Sequence, residues 1–420
     1  MASKFGWIDF SEKERQQMLD VLELFNQQDT RDELGIGNIR DAFADYFFPG
    51  TSTIQTRARY FLFVPWIYQD VEKKLKKNSW TVDKIATEVE RRERKLIRAL
   101  IAGDEKEGVI GIEAKEKLQR LPSSIYWNGL NILKIRLLAG SQTQYIRHIC
   151  FFYKESPLNN AGMNPKSKEH DEPIIENAQI GWHPGIPNPP DDFLKQTTLK
   201  LTHDEAIYLK ERMLQTHPES LFSAFLLESN DTMGTDFVWN HPIIDSLQEP
   251  TLSAISHSQN FSEIIHGAAL LYNLMLSEKK ENKERIDQYR DHLSEWSDEV
   301  LGHWGVLGKW CNDSETFWKG PALISARIPQ LTKVFVTKWF SVLANEGALR
   351  TIPDSTLARS LISQREHQLK KNRARLHNQD ALMKWGGASG TARLDFRWAI
   401  TKTHLSDIYA GLNGGKASNA

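Results

Sequence analysis

Apolar residues recur at every third or fourth position along most of this chain, the spacing of helices with one buried stripe. Met18, Leu19, Leu22 and Phe25 form the first stripe, after Ser11 and Glu14 placed as a capping box. Ile36 to Phe48 predicts a second helix, stopped by Pro49-Gly50. Thr53 to Leu75 predicts a third, with Pro65 as a kink. In Thr81 to Ile101, Ile85, Val89, Leu96 and Leu100 face one way while Arg91, Arg92, Arg94 and Lys95 crowd the other. Glu113 to Leu138 predicts one or two helices around Pro122, and Ser141 to Tyr153 another.

The periodicity then breaks. Residues 156–196 hold many Pro, Asn and Gly, and Gly181-Trp182-His183-Pro184-Gly185-Ile186-Pro187 excludes a helix, so the segment reads as an irregular linker or long loop. Helical patterns resume at Thr202, with Asp204 and Glu205 in the first turn. They continue over 217–228, 261–278, 283–303, 328–344, 354–385 and 397–411. Strand patterns are scarce: Leu199 to Leu201 and Cys150 to Tyr153. The expected fold is mainly α and multi-helical: an N-terminal helical domain (1–155), the linker, a C-terminal helical domain (197–412) and a disordered tail (413–420).

A hydrophobic fraction of 40% supports large cores, and two cysteines, Cys150 and Cys311, exclude a disulfide framework or a four-cysteine zinc site. No apolar run reaches the roughly 20 residues that span a bilayer, and Met1 to Phe10 lacks a signal-peptide core, so the expectation is a cytoplasmic protein without a membrane partner. Lys+Arg 53 against Asp+Glu 54 gives a net charge of −1, so any attraction to nucleic acid must come from local patches. The 13 Trp read first as core anchors and, where basic residues interleave, as stacking platforms.

No phosphate-binding loop, dinucleotide fingerprint or nucleophile elbow is present. Glu263 and His266 have the spacing of a helical metal pair, but no second such pair exists, so no metal and no cofactor is expected. His148, His183, His292 and His303 could serve as bases, yet no spacing rule pairs them with a nucleophile. Two segments carry more. Thr51, Ser52, Thr53 and Gln55 after Pro49-Gly50 suit an anion at a helix N-terminus, with Arg57 and Arg59 following. Arg365, Lys370, Lys371, Arg373 and Arg375 crowd one helix against one acid, Glu366, and the glycines, Trp385, Arg393, Arg397 and Trp398 come next. These cations would contact phosphates.

Several long motifs carry a resemblance. They are Phe5-Gly6-Trp7-Ile8-Asp9-Phe10, Asp29 to Gly35, Phe48-Pro49-Gly50-Thr51-Ser52 through Val64-Pro65-Trp66-Ile67-Tyr68, His266-Gly267-Ala268-Ala269-Leu270, Arg365-Glu366 and Leu394-Asp395-Phe396-Arg397-Trp398. With them the chain resembles an uncharacterised bacterial protein family whose genes are found beside helicases and phospholipase D-like nucleases in anti-phage defence regions. The resemblance implies no catalytic residues. It implies a non-enzymatic subunit of a defence complex, binding nucleic acid (DNA before RNA) or scaffolding partners such as a helicase or nuclease. Two alternatives stay open: a nuclease or other hydrolase whose site assembles in space around the linker and His183, and a protein-interaction adaptor anchored by its Trp.

Overall fold

The structure is a computed structural model that describes residues 32–75, 78, 80–114, 118–155, 181–228, 234–344 and 346–417. The capping box at Ser11, the stripe from Met18 to Phe25, the motif at Phe5 to Phe10 and the linker to residue 180 lie outside the described residues. Among those described, sixteen α-helices and four short 3-10 turns occur and no strand. One isolated bridge joins Arg136 and Trp182. The mainly α, multi-helical expectation holds. Both strand candidates resolve otherwise: Cys150 to Tyr153 lies inside a helix, and Leu199 to Leu201 is the irregular approach to the next one.

By contacts the chain divides into two units that do not follow chain order. The described part of the first comprises residues 32–43 and 244–396, and that of the second 44–243 and 397–417. The expected boundaries at 155 and 197 divide the chain at other points. Helix α1 (Gly37–Phe47) contains one of the crossings.

In the second unit, α2 (Tyr60–Leu75) is the centre: every residue from Tyr60 to Gln69 is buried, Pro65 included. A helix apolar all round has to be enclosed. Around it come α3 (Val82–Ala102), α4 (Pro122–Ile132) and α5 (Gln142–Glu155). The start of α2 is seven residues later than expected, and Thr51 to Arg59 is a turn-rich segment. Pro122 opens α4 at its first position, where the missing N–H costs nothing, instead of kinking a longer helix. Past the linker, Trp182 is fully buried, and its indole and the Tyr145 hydroxyl both donate to Glu72, at 2.9 and 2.6 Å. Helices α6 (His203–Thr216) and α7 (Leu221–Glu228) follow. Thr202 and Glu205 form a reciprocal capping box at the start of α6.

The first unit is built on α8 (Thr251–Lys279) and α9 (Lys283–Gly302). Asn282 caps α9 by accepting from Arg285 N. Then come α10 (Trp304–Asn312), α11 (Ser314–Lys319), α12 (Gln330–Val342), α13 (Glu346–Thr351) and α14 (Thr356–Lys370). The expected long helix over 354–385 breaks at Lys371, whose φ of 47° leaves the helical region, and resumes only as the short α15 (Gln379–Met383). The last helix, α16 (Trp398–Ala417), belongs to the second unit and runs on into the expected tail; just before that tail, His203 Nδ1 meets the Leu412 carbonyl at 3.2 Å.

The glycine-rich segment 385–394 is strapped along α8 and α9 through its carbonyls. Lys280 donates to Trp385 O at 3.0 Å, Arg285 and Tyr289 to Gly387 O at 3.0 and 2.7 Å, and Asn273 to Ser389 O at 2.8 Å. His266 Nε2 meets Thr391 O at 3.0 Å and Ser262 donates to Leu394 O at 2.9 Å. Gly387, at φ 101°, lets the Arg285 guanidinium lie directly against the backbone.

Candidate nucleic-acid interface

Most cations singled out in the sequence hold internal partners. Arg59 is buried and forms a two-pronged pair with Glu205, at 2.9 and 2.7 Å. Arg57 grips Asp407 at 2.6 Å, an ion pair that, with its hydrogen bonds, raises the guanidinium pKa. Arg365, only 2% exposed, donates to the carbonyls of Leu34 and Gly35 and to the Thr332 hydroxyl. Lys370 and Arg375 both reach the buried Glu33 carboxylate. Arg397 pairs with Asp45 and the Thr51 carbonyl, and Arg393 lies near Glu263 and Glu299. Lys371 and Arg373 are exposed.

The hydroxyl cluster is similarly committed. Thr51 Oγ1 donates to Phe48 O, Gln55 Nε2 to Gly50 O, and Ser52 N to Gln55 Oε1. Thr53 is exposed. None of the four sits at a helix N-terminus, because α2 begins only at Tyr60. His266 binds Thr391 O, and among the described residues no group of three metal-binding side chains gathers around it or elsewhere. His183 faces donors at both ring nitrogens, Gly185 N at 3.1 Å and Arg212 at 3.0 Å. Burial and then Arg212 lower its pKa. The twelve described Trp are buried or half-buried, Trp385 and Trp398 among the most buried.

The strongest positive feature lies on α3 in the second unit. Arg91, Arg94, Lys95 and Arg98 stand at i, i+3, i+4 and i+7, which places them on one helical face. With Lys195 they line a groove of about 590 Å3, floored by Ala99, Ala102 and Leu194. Thr197 N donates to Ala99 O at 3.1 Å, and Gly103 leaves room for the Thr197 carbonyl, so the far wall is fixed to the end of α3. Arg94 is steadied by Glu90 at 2.7 Å and the Leu118 carbonyl at 3.1 Å. Arg91 bonds Glu88 at 2.9 Å. Glu88 is drawn down to about 2, foremost by Arg91 and against the opposing push of burial, with Arg92 and Lys84 adding. Lys95, Arg98 and Lys195 are exposed.

Arg92 is not part of this face. It turns inward, 2% exposed, with Glu88 at 2.5 Å and Asp70 at 2.7 Å. Grouping Arg91, Arg92, Arg94 and Lys95 together overlooked that 92 falls in the inward stripe of Ile85, Val89 and Leu96. Helical angle alone separates 91, 94, 95 and 98 from 92. Lys195, in the linker, carries no such signal.

Fold and site thus define a multi-helical protein with a cationic groove on one helix face, and among the described residues no helix is long and apolar enough to cross a membrane. The chain belongs to a family of unknown function, DUF6361, whose model matches residues 2–411. No curated protein and no solved structure matches it.

Proposed function

We propose that this chain binds the phosphate backbone of nucleic acid, DNA before RNA, through the α3 groove, as a non-enzymatic subunit. The phage-defence setting implied by the family resemblance, with a helicase or nuclease as partner, belongs to the same proposal. One observation carries it: five cations line a groove to which, among the described residues, no carboxylate contributes a wall. Guanidinium and ammonium groups on a rigid helix suit phosphates. The apolar floor of Ala99, Ala102 and Leu194 offers nothing that reads base edges, so sequence preference should be slight.

The test is fluorescence anisotropy on labelled duplex DNA, single-stranded DNA and RNA across a salt series. Log affinity should fall against log salt with a slope of about −0.9 per phosphate bound on duplex. Replacing Arg91, Lys95 and Arg98 with Ala should flatten that slope by about 0.9 for each phosphate no longer neutralised. Lys371→Ala with Arg373→Ala forms a comparison arm, whose effect should be the smaller. Absence of binding to every probe at low salt, or an unchanged slope in the α3 variant, overturns the proposal.

A further inference from the structure

The outer face of α12 is apolar and cationic. Thr332, Phe335, Val336, Trp339 and Phe340 turn inward and are buried. Leu331 and Val334, one turn apart, are 59% and 39% exposed, and the exposed Lys338 completes their line at i+7. The charge here has one sign. Residues 321–342 contain Arg327, Lys333 and Lys338 and no acid. Lys333 lies over the Trp318 ring, 5.5 Å from its centre. The Arg327 and Lys338 side chains have no ion-pair or hydrogen-bond partner among the described residues. The acids of the adjoining α11 and α14 are engaged elsewhere. Glu315 pairs with Lys319, Asp313 caps α11, and Glu366 accepts from the N–H groups of Arg375 and Leu376.

Residue 32 lies at this same place. Gly35 O accepts from Thr332 Oγ1 at 3.2 Å and from Arg365 at 3.0 Å, and the exposed Leu369 packs against Gly35. Asp32, whose carboxylate accepts from Ile36 N and Gly37 N, is three residues away. The sequence that precedes residue 32 therefore starts beside the first turn of α12. That sequence fits the face. Met18, Leu22 and Phe25 stand at i, i+4 and i+7, about 10.5 Å of helix, the same span as Leu331 to Lys338. Glu14 comes four before Met18 and Glu23 four after Leu19, so carboxylates border the stripe. Over 11–26 four acids stand against two bases. Asn26 to Arg31 is six polar residues, an ordinary length for a connection between helices. From Phe25 to Asp32 the chain reaches about 25 Å at most.

We propose that the outer face of α12 is the docking site of residues 11–26 of the same chain. They bind as an acidic amphipathic helix, with Met18, Leu22 and Phe25 against Leu331 and Val334 and the carboxylates toward Arg327 and Lys338. Tethering favours this occupant over a second copy, since a short tether gives an effective concentration in roughly the millimolar range. The proposal stands independently of backbone binding at α3.

Trypsin cleavage of the full chain at Lys13 and Arg15, read by mass spectrometry, tests this against a synthetic peptide of residues 5–28. Cleavage tracks the population of the undocked segment, so both bonds should be cut roughly tenfold more slowly in the chain than in the peptide. Leu331→Glu with Val334→Glu, both at exposed positions, should bring the rate toward that of the peptide. Leu22→Glu, in the segment itself, should do the same. Under mild oxidation at least one of Met18→Cys, Leu22→Cys and Phe25→Cys should form, with Val334→Cys, a disulfide within one chain. Gln16→Cys, on the opposite side of the stripe, should not. The native Cys150 and Cys311 are buried and do not compete. Four outcomes overturn the proposal: peptide-like cleavage of the wild type, wild-type rates in the Leu331/Val334 and Leu22 variants, no disulfide within one chain from any of the three stripe positions, or a disulfide that joins two chains.

Discussion

The indole of Trp296 lies flat over Gly267, so close that a Cβ built on the glycine would overlap three of its ring carbons. Two influences oppose each other at this position. Alanine is the better helix former by about 1 kcal/mol. Yet the ring cannot yield, because its N–H is tied to Glu263 O. Overpacking of that kind costs about 1–3 kcal/mol and should win. Gly267→Ala is therefore expected to lower stability in urea melts, and Trp296→Phe in the same chain should recover part of the loss. A neutral or stabilising Gly267→Ala would show that the ring can move.

Arg59 and Glu205 form a buried ion pair in the second unit. Removing one partner strands the other charge, at a cost of about 3–5 kcal/mol. Glu205→Ala and Arg59→Ala should both be strongly destabilising, while Arg59→Met with Glu205→Leu should cost less than either. Denaturant melts of the three variants check the order. Arg59→Ala should leave the salt slope of nucleic-acid binding unchanged.

Glu93 is fully buried, and burial pushes its carboxyl up to about 7 despite two hydrogen bonds from Ser123. Its folded pKa lies above the unfolded value near 4.3. The folded state thus holds its proton longer, and stability should fall as pH rises from about 4.3 to about 7. Glu93→Gln keeps the shape of the protonated acid and should remove that fall. The gain at pH 8 is about 4 kcal/mol by the pKa difference, with convergence toward wild type below pH 4. Parallel pH profiles of the two melts would refute this.

His404 is fully buried, and neither ring nitrogen has a hydrogen-bond partner among the described residues. Burial, and then Arg57, hold it down to about 3. Its folded pKa is depressed, so stability is lost as pH falls below about 6.5. The ring already meets Phe61 edge to face at 5.7 Å. His404→Phe should stabilise by about 1–3 kcal/mol, the cost of the unmet polar group, with the larger gain at pH 5 than at pH 8. A loss of stability would mean that the imidazole answers a need that phenylalanine cannot.

Local rules read well where the deciding information is local. The start of α9 follows from Asn282 and Glu284, and the inward stripe of α3 from Ile85, Val89, Leu96 and Leu100. The outward cations of α3 were visible too, apart from the angular misplacement of Arg92. What stayed hidden is partnership across the chain. Arg375 looks like a free cation within its own segment, but its partner Glu33 lies 342 positions away. Arg57 is 350 positions from Asp407. A cluster of basic residues reads the same whether it faces solvent or a buried carboxylate. The break at Lys371 gave no warning either, since lysine has no preference for positive φ.

The strap has a bearing on which chain lengths can be tolerated between α15 and α16. Its carbonyls at 385, 389, 391 and 394 are met by residues 280, 273, 266 and 262 of α8 and its end. The helical span from 262 to 280 is about 27 Å at 1.5 Å per residue. Nine residue steps reach about 30 Å at most, even when extended. The two runs oppose each other at close to two helical residues per strap residue, with no slack. One residue inserted or deleted in the strap shifts it by about two helical positions, roughly 200° around α8, and turns each carbonyl toward the wrong side chain. Surface loops ordinarily absorb such changes at little cost. Here a loop that looks permissive from its glycines is gauged to the helix beneath it, and a single-residue change in its length should be felt along the whole of α8.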